Sequence, residues 1–435
     1  MEPQITPFKG YRYNAAIAGD TASLLAPPYD VISPDKQDKL YKKSDFNIVR
    51  LILGKTSPED AQDDSRYTRA SATLAGWVKK GALKQDEQPA IYVYSQTYTV
   101  AGHIKTRTGF IARKRLEDFG GSVLAHEKTF SGPKADRLNL TRACKFNFSQ
   151  IFGLYTDAQK VTDGLMARAM KGPPVIDVKL GNKEGENGER HALWPVTDPE
   201  WIKSLVDAMN DRTIFIADGH HRYETAVNFM KENTNEKGEC PQDMKYVMMY
   251  FTNTESDGLT ILPTHRALQN ISGFDMDEFI KKISGDFEVE PITSMNGNRN
   301  DDAEKLLAEK MKDAGCVAFG VYTGGGKYTL LKYKQAPEGG PLDKLDVGIL
   351  HKRLFEKTLE LGEEEQTDQS HIAYMKDAAD AARRVDEGRS QLAFFLNPTP
   401  VELLREVASA GLKMPQKSTY FYPKLITGLV INPLF

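Results

Sequence analysis

The sequence is poor in cysteine, and its few cysteines form no cluster. Cys144, Cys240 and Cys316 lie far apart in a chain of 435 residues, and none belongs to a C-x-x-C pair. Disulfide frameworks and structural zinc sites need paired or closely spaced cysteines, so this pattern argues against both. We expect three unpaired thiols in a reducing compartment, with the cytoplasm as the default location.

Long apolar runs and export signals are also missing. No stretch approaches the roughly 20 apolar residues that a membrane helix needs. Residues 1–4 carry neither the basic segment nor the apolar core of a secretory signal. Hydrophobic residues make up 40% of the chain and charged residues 27%, which are ordinary values for a globular protein. The sequence therefore predicts a soluble, cytoplasmic protein without a membrane partner.

The chain has no excess of one charge. Its 57 lysines and arginines nearly balance 60 aspartates and glutamates, which gives a net charge of -3. Such a chain has no overall attraction to nucleic acid or anionic lipid, so we expect no nucleic-acid partner and only local anion binding. Basic residues do accumulate between Lys105 and Lys145, where a solvated face is the alternative to an anion site.

Standard nucleotide and nucleophile motifs are absent. A Walker loop ending at Lys327 would need glycine in place of Val321 and serine or threonine in place of Tyr328. No G-x-G-x-x-G follows a strand pattern, and neither G-x-S-x-G nor H-E-x-x-H occurs. None of the cysteines lies beside a histidine, which gives no support to cysteine-based catalysis. Any phosphate-binding loop in this chain is of another kind.

The length of the chain predicts two lobes, because 435 residues exceed one ordinary core. We predict an α+β fold of mixed sheets with flanking helices. The N-terminal lobe is expected over residues 1–290 and a C-terminal α/β lobe over residues 291–435. The polar stretch 296–302 is the predicted boundary region, and the last loop, 414–424, could return to a cleft between the lobes.

The most informative segment runs from Ile214 to Ala226. Residues 214–217 are continuously apolar, as in a buried strand. The residues beyond Asp218 and Gly219 place an apolar face at helical spacing, formed by Tyr223, Ala226, Val227 and Met230. A strand, a tight turn and a helix are therefore predicted. The N-terminus of a helix offers unpaired N–H groups and a positive dipole end, which together bind anions.

Three interpretations of this segment remain open. In the first, Gly219 and the following N–H groups cradle a phosphate, Arg222 neutralises its charge, and His220 or His221 donates to a transferring phosphoryl group. In the second, Asp218 and Glu224 hold a metal together with one of the histidines. In the third, Asp218 merely caps the helix.

Other polar clusters come from both ends of the chain, and each has a plain surface residue or turn as its alternative. They form a site only if the fold brings them together. The candidates for phosphate or nucleotide binding are Arg137, Arg266 and Lys417. The candidates for substrate binding are Asp30, His126, His265, Ser418 and Thr419.

Several long motifs resemble a widespread prokaryotic family known as a domain of unknown function. These motifs are APPYDVIS at 26–33, HEKT at 126–129 with DR at 136–137, IADGHHRYETA at 216–226, LPTHR at 262–266 and MPQKSTYFYPK at 414–424. The resemblance spans nearly the whole chain. It implies no particular activity, beyond a loose association with serine biosynthesis.

The run Asp218-Gly219-His220-His221-Arg222 is similar to the phosphate motif of the ParB and sulfiredoxin superfamily, and its free-serine kinase branch carries the same run. The resemblance implies a ParB/sulfiredoxin-like phosphate-binding core in which residues 219–222 contact phosphates and Asp218 assists magnesium or the acceptor hydroxyl. His220 stands where sulfiredoxins have their catalytic cysteine, so sulfinic-acid reduction lacks its nucleophile. The motif does not locate the catalytic carboxylate, for which Glu127 and Asp30 are the candidates.

We therefore predict a nucleotide-dependent phosphotransferase acting on a small hydroxylated metabolite, most concretely a serine kinase. The expected catalytic residues are Asp218, His220, His221 and Glu127, with Mg²⁺ as cofactor and ATP or ADP as co-substrate. A metal-dependent phosphohydrolase, for example one acting on phosphoserine, and a non-catalytic nucleotide-binding regulator are the alternatives. The expected partners are the small-molecule substrate and the nucleotide, and a homodimer is compatible with the sequence.

Overall fold

We describe the protein from a computed structural model. The structure describes residues 3–61, 65–127, 131–181, 188–292, 300–362, 365–366, 370–415 and 417–435. Three parts of the sequence-based predictions lie outside these residues. They are positions 296–299 of the expected lobe boundary, positions 128 and 129 of the HEKT motif, and position 416 in the last loop.

The chain forms two compact units. The first unit comprises Met1–Ala125, Thr129–Leu259 and Pro423–Phe435, and the second comprises His126–Lys128 and Thr260–Tyr422. The division after Leu259 lies earlier than the predicted boundary at residue 290. The reason is that the strand Phe287–Ile292 pairs with Tyr328–Tyr333 inside the second unit, so ladder hydrogen bonds hold this stretch to the later part of the chain.

The first unit contains most of the secondary structure. Its strands before residue 260 are β1 (Ile5–Thr6), β2 (Tyr11–Tyr13), β3 (Leu83–Gln85), β4 (Ile91–Val100), β5 (His103–Arg115), β6 (Val123–Leu124), β7 (Phe146–Asn147), β8 (Ile151–Tyr155), β9 (Ile176–Leu180), β10 (Glu189–Val196), β11 (Ile214–Asp218) and β12 (Tyr246–Asn253). Its α-helices are α1 (Ala15–Ala18), α2 (Thr21–Leu24), α3 (Pro34–Lys43), α4 (Val49–Ile52), α5 (Arg66–Lys79), α6 (Ser131–Cys144), α7 (Val161–Ala169), α8 (Pro199–Met209) and α9 (His220–Glu232). Short 3₁₀ turns occupy Tyr29–Val31 and Gln242–Lys245.

A nine-stranded mixed sheet organises the first unit. Its strand order is β6-β11-β8-β12-β5-β4-β10-β9, and β1 also pairs with β5. The β11–β6 and β12–β8 pairs are parallel, whereas the other pairs are antiparallel. β8 and β12 are buried along their whole length, because both faces of the sheet are covered. This sheet carries β11, the strand that leads into the Asp218 segment.

The two faces of this sheet differ in chemistry because successive side chains of a strand point to opposite faces. One face packs against α7, α8 and α9 through an apolar core to which Phe110, Ile151 and Met249 contribute. The other face carries Gln96 and Arg107, which are paired in register and fully buried. A polar, tightly buried face is therefore built into the centre of the first unit.

The second unit is built on an antiparallel sheet. Its strands are β13 (Thr260–Leu262), β14 (His265–Leu268), β15 (Phe287–Ile292), β16 (Ala318–Tyr322), β17 (Tyr328–Tyr333), β18 (Ile372–Met375), β19 (Leu392–Phe395) and β20 (Tyr420–Tyr422). Its helices are α10 (Met276–Ile283), α11 (Asn300–Lys312), α12 (Asp346–Ile349), α13 (Lys357–Leu359), α14 (Ala378–Asp386) and α15 (Val401–Ser409), with a π-helical turn at Leu350–Glu356. Six strands pair in the order β15-β17-β16-β19-β14-β18, and β13 pairs with β20. The α+β fold class predicted from the sequence is confirmed.

The last residues, 423–435, belong to the first unit, and we call them the C-terminal segment. They end in a short strand, β21 (Asn432–Pro433), which pairs with β7. Backbone bridges also join Ala26 to Thr427 and Tyr11 to Ile431. The apolar character of residues 425–431 is explained by this burial, since all six side chains of the stretch that have a Cβ are buried.

Two further predictions concern the whole chain. None of the helices in the described ranges has the length and apolar character needed to cross a membrane. The three cysteines are unpaired, as predicted: Cys144 is buried, Cys240 is partly buried and Cys316 is exposed. Burial raises the pKa of the Cys144 thiol to about 12, so this thiol is protonated and unreactive at neutral pH.

Candidate anion site

The strand, turn and helix predicted around Asp218 are present. β11 ends at Asp218, Gly219 forms the turn, and α9 begins at His220. The N–H group of Tyr223 donates to the carbonyl oxygen of Gly219 at 3.0 Å, which closes the first turn of the helix. The N–H groups of the first helical residues lie ahead of the i→i−4 ladder of α9, as they do at the start of any helix.

Gly219 is the residue that the turn requires. Its φ angle is +95°, in the left-handed region that residues with a Cβ rarely adopt. A Cβ placed on Gly219 would also lie 2.8 to 2.9 Å from atoms of the Arg222 guanidinium. The absence of a side chain thus allows both the turn and the position of Arg222.

Asp218 is bonded to two cations. Arg222 Nη2 donates to Asp218 Oδ2 at 2.6 Å, and Lys424 Nζ donates to Asp218 Oδ1. Each of these three side chains is only about one-seventh exposed, at 14 to 15%. Burial by itself would raise the pKa of Asp218, but the neighbouring Lys424 and Arg222 outweigh burial and hold the pKa below its usual range. Asp218 is therefore ionised, and together the three charges leave a surplus of one positive charge.

Arg222 also borders a pocket of the first unit. Its Nη1 donates to the carbonyl oxygen of Gln150 at 2.5 Å. The pocket walls include Tyr29, Arg137, Ser149, Arg222 and Thr225. Arg137 and Arg222 thus line one pocket, and their assignment to phosphate binding stays a prediction.

Tyr29 and Arg137 contact each other in the wall of this pocket. The Arg137 guanidinium carbon lies 3.9 Å from the centre of the Tyr29 ring, a cation–π contact. Arg137 Nε donates to Asp136 at 2.7 Å and Nη1 donates to the carbonyl oxygen of Ile52, also at 2.7 Å. Burial raises the pKa of the Tyr29 hydroxyl, and the nearby Arg137 and Arg222 partly offset this effect. Asp30 is exposed on the same 3₁₀ turn as Tyr29.

The predicted metal ligands do not form a ready-made metal centre. Glu224 binds Lys134 at 2.8 Å, whereas Asp218 binds Arg222 and Lys424. No group of three or more histidine, cysteine, aspartate or glutamate side chains suited to a metal ion occurs among the residues that the structure describes. His220 is buried at the start of α9 and His221 is partly exposed. The local geometry favours an anion over a protein-held cation.

A second group of predicted residues comes together in the second unit. Glu127 Oε1 accepts a hydrogen bond from the backbone N–H of Lys417 at 2.9 Å, and the backbone of Glu127 bridges that of Met414. His126 Nε2 lies 3.2 Å from the hydroxyl oxygen of Thr419. Ser418 is buried, and its hydroxyl donates to the carbonyl oxygen of Pro415 at 2.5 Å. The HEKT and MPQKST motifs therefore meet, although almost 300 residues separate them in the sequence.

Arg266 and His265 lie on β14 in this second unit, and both are buried. Arg266 donates to the backbone oxygen of Lys417 at 3.2 Å and lies over the Tyr374 ring at 5.5 Å. Burial lowers the pKa of Arg266 to about 10, which still leaves it charged at neutral pH. Burial, helped by Arg266, lowers the pKa of His265 to about 4, and its Nδ1 accepts from the Leu396 N–H at 3.3 Å. His265 is thus neutral and engaged by backbone.

Sequence reasoning missed three residues at the first site. Lys424 closes the MPQKSTYFYPK motif but received no role, because nothing near it in the chain points to Asp218. For Tyr29, the sequence draws attention instead to Asp30, the charged residue beside it. Gln150, whose carbonyl oxygen accepts from Arg222, gave no signal that we can identify. The apolar run that follows Lys424 was the only hint that this end of the chain is buried.

The fold and this geometry define an α+β protein with a candidate anion site at a strand–turn–helix junction. The chain belongs to the family described as Protein of unknown function (DUF1015), whose model matches residues 5–348. No curated protein sequence matches the chain. The similarity of residues 218–222 to the ParB and sulfiredoxin motif stays a prediction.

Several solved structures are similar to the chain at low identity. Free serine kinase in complex with AMP is 14% identical, with a TM-score of 0.35, over 71% of this chain and 89% of that chain. A conserved hypothetical protein from Pyrococcus furiosus is 13% identical, with a TM-score of 0.33, over 71% of this chain and 92% of that chain. C-terminally truncated SbnI from Staphylococcus aureus is 9% identical, with a TM-score of 0.34, over 74% of this chain and 87% of that chain.

Proposed function

We propose that the protein is a nucleotide-dependent phosphotransferase that acts on a small hydroxylated metabolite, most concretely a serine kinase. The observation that carries this proposal is the ionised Asp218 with its two cations, Arg222 and Lys424, at the N-terminus of α9. The proposal combines that observation with the resemblance of residues 218–222 to the phosphate motif of the free-serine kinase branch.

The charges at this junction favour a phosphate group. One carboxylate and two cations leave a charge of +1, and the N-terminus of a helix adds about half a positive charge. The N–H groups that follow Gly219 can donate to phosphate oxygens without obstruction by a Cβ. A phosphate of a nucleotide would accept hydrogen bonds from Arg222 and from these N–H groups.

The remaining roles follow from this placement. His220 and His221 stand at the first two positions of the helix, where they would donate to a transferring phosphoryl group. Glu127, the carboxylate that the sequence offers as the base for the substrate hydroxyl, belongs to the second unit. Arg137 would contact the nucleotide from the wall of the Tyr29 pocket.

Magnesium fits this proposal only as a companion of the nucleotide. Mg²⁺ commonly takes one or two carboxylates together with substrate phosphates and water, and Asp218 is the carboxylate in place for that role. When bound, the ion would neutralise charge on the phosphates. Asp218 must first exchange one of its two cations, because both of its oxygens are engaged.

The test is a comparison of two arginine variants. Arg222→Ala should weaken ADP and ATP binding by about tenfold to a hundredfold in titration calorimetry, since removal of one charge-assisted hydrogen bond costs about 1.5 to 3 kcal/mol. Arg190→Ala is the matched control, because Arg190 pairs with Asp177 at an exposed position of the same unit. Equal nucleotide affinity in the two variants would contradict the proposal.

Activity is then measured with labelled nucleotide and a panel of hydroxylated amino acids. The proposal expects phosphate to move from the nucleotide to one of them. Release of phosphate from phosphoserine without nucleotide would favour a phosphohydrolase instead. Tight nucleotide binding without turnover on any acceptor would favour a regulator.

A further inference from the structure

The C-terminal segment, residues 423–435, is held by buried side chains at its start. The carbonyl oxygen of Pro423 accepts from Arg107 Nη2 at 2.6 Å, and that of Lys424 accepts from Gln96 Nε2 at 3.1 Å. The carbonyl oxygen of Ile426 accepts from Gln150 Nε2 at 2.9 Å. Three side chains from three different parts of the first unit therefore fix the backbone on both sides of Lys424.

Arg107 is an unusual residue for this position. It is completely buried, its guanidinium carbon lies 4.7 Å from the centre of the Phe152 ring, and its Nη2 also donates to Gln96 Oε1. Burying a charge is unfavourable unless hydrogen bonds compensate, and an apolar side chain of similar volume often gives equal or greater stability. The hydrogen bond to the Pro423 carbonyl oxygen explains why an arginine, rather than an apolar residue, occupies this position.

This hydrogen bond bears on the direction of the Lys424 side chain. Proline fixes its own φ angle, and the hydrogen bonds from Arg107 and Gln96 fix two successive carbonyl oxygens. The Lys424 backbone consequently has little freedom, and its side chain reaches Asp218 across 206 residues of sequence. The ammonium group is held at the turn that precedes α9.

We infer that Lys424 is a phosphate-binding residue of this site and that Arg107, together with Gln96, is the device that positions it. Without nucleotide, Lys424 neutralises Asp218. When nucleotide binds, the ammonium group donates to a phosphate oxygen, and Asp218 Oδ1 is released for magnesium or the acceptor hydroxyl. This assignment rests on the proposed function.

The chemistry of the two cations supports this division of labour. Arg222 is a forked donor already fixed at both ends by Asp218 and the Gln150 carbonyl oxygen. Lysine carries a compact ammonium with three donors on a flexible stem, which can change partners without movement of its backbone. A doubly charged phosphate competes for that ammonium more strongly than a single carboxylate does.

The first experiment compares Lys424→Ala, Lys424→Arg and wild type in titrations with ADP, pyrophosphate and adenosine. Lys424→Ala should weaken ADP and pyrophosphate binding by about tenfold to a hundredfold and leave adenosine unchanged. Lys424→Arg should recover part of the loss. Lys203→Ala is the control, because it removes the same charge from an exposed helix of the first unit. ADP affinity equal to wild type in Lys424→Ala would overturn the assignment.

The second experiment tests Arg107 by a double-mutant cycle. Arg107→Met should weaken ADP binding as Lys424→Ala does, whereas the double variant should bind no worse than Lys424→Ala alone. Additive losses would show that Arg107 acts on the fold only and would overturn its positioning role. If Arg107→Met does not fold, Gln96→Leu removes the bond to the Lys424 carbonyl oxygen and enters the same cycle. Absence of nucleotide binding by wild type would overturn both this inference and the proposed function, whereas normal wild-type binding with an unaffected Lys424→Ala overturns this inference alone.

Discussion

Replacement of Gly219 by alanine tests the turn on which the anion site depends. The left-handed conformation at φ +95° costs a residue with a Cβ about 1 to 2 kcal/mol. Alanine also reduces the conformational entropy of the unfolded chain, which stabilises the folded protein by about 0.4 to 1 kcal/mol. The backbone effect alone should therefore lower the free energy of unfolding by about 1 kcal/mol. The new Cβ would in addition meet the Arg222 guanidinium at 2.8 to 2.9 Å and push it away from Asp218.

Urea unfolding and ADP titration separate these two effects. Asparagine tolerates the left-handed region better than alanine does, yet its Cβ meets Arg222 equally. Gly219→Asn should thus be more stable than Gly219→Ala, while both lose about tenfold or more in ADP affinity. Gly76→Ala is the matched control, since Gly76 lies inside α5 and a Cβ there meets nothing within 4 Å. It should gain about 0.5 to 1 kcal/mol. Unchanged ADP affinity in both Gly219 variants would refute the reasoning.

Three further predictions concern titrating groups. The pKa of Asp218 is lowered in the folded protein, so its contribution to stability is present above the unfolded value near 3.8 and is lost as the pH falls below that value. In Asp218→Asn, the free energy of unfolding measured in urea should therefore fall less steeply at acid pH than it does in wild type. Burial lowers the pKa of His191 from 6.5 to about 3, so the neutral form favours folding. Protonation of His191 in the unfolded chain should lower the free energy of unfolding by about 1.4 kcal/mol between pH 7.5 and 5.5. The decrease should be smaller in His191→Gln than in wild type. Alkylation of the native protein at pH 8 should modify the exposed Cys316 and spare Cys144, whose pKa is about 12, until urea unfolds the first unit. Peptide mass spectrometry measures the labelling of both cysteines. Labelling of Cys144 in the native protein would contradict its burial.

The sequence predicts the Asp218 segment well because all of its signals are local. A short apolar run, a glycine and helical spacing lie within seventeen residues, so no long-range information is needed. The partner of Asp218 is different. Lys424 is 206 residues away, and no periodicity or spacing connects two positions at that distance.

Charge patterns were harder to interpret than apolar ones. Arg107 and Lys114 belong to the basic stretch for which a solvated face was the alternative, yet both are buried in β5. Arg107 donates to the side-chain oxygen of Gln96 and the carbonyl oxygen of Pro423, and such uncharged partners leave no mark in a sequence. The division after Leu259 has no local signal either, since the pairing of β15 with β17 spans about 40 residues.

The return of residues 423–435 to the first unit affects how the protein is made. A domain usually folds as a unit once its residues have emerged from the ribosome. Here the polar face that carries Arg107 is completed by residues 423–435, which follow the whole second unit in the sequence. Arg107 therefore gains its bond to Pro423, and Asp218 its bond to Lys424, only after the second unit has been made. A chain truncated anywhere before Pro423 would lack both bonds, so the proposed anion site needs residues that are made after the second unit.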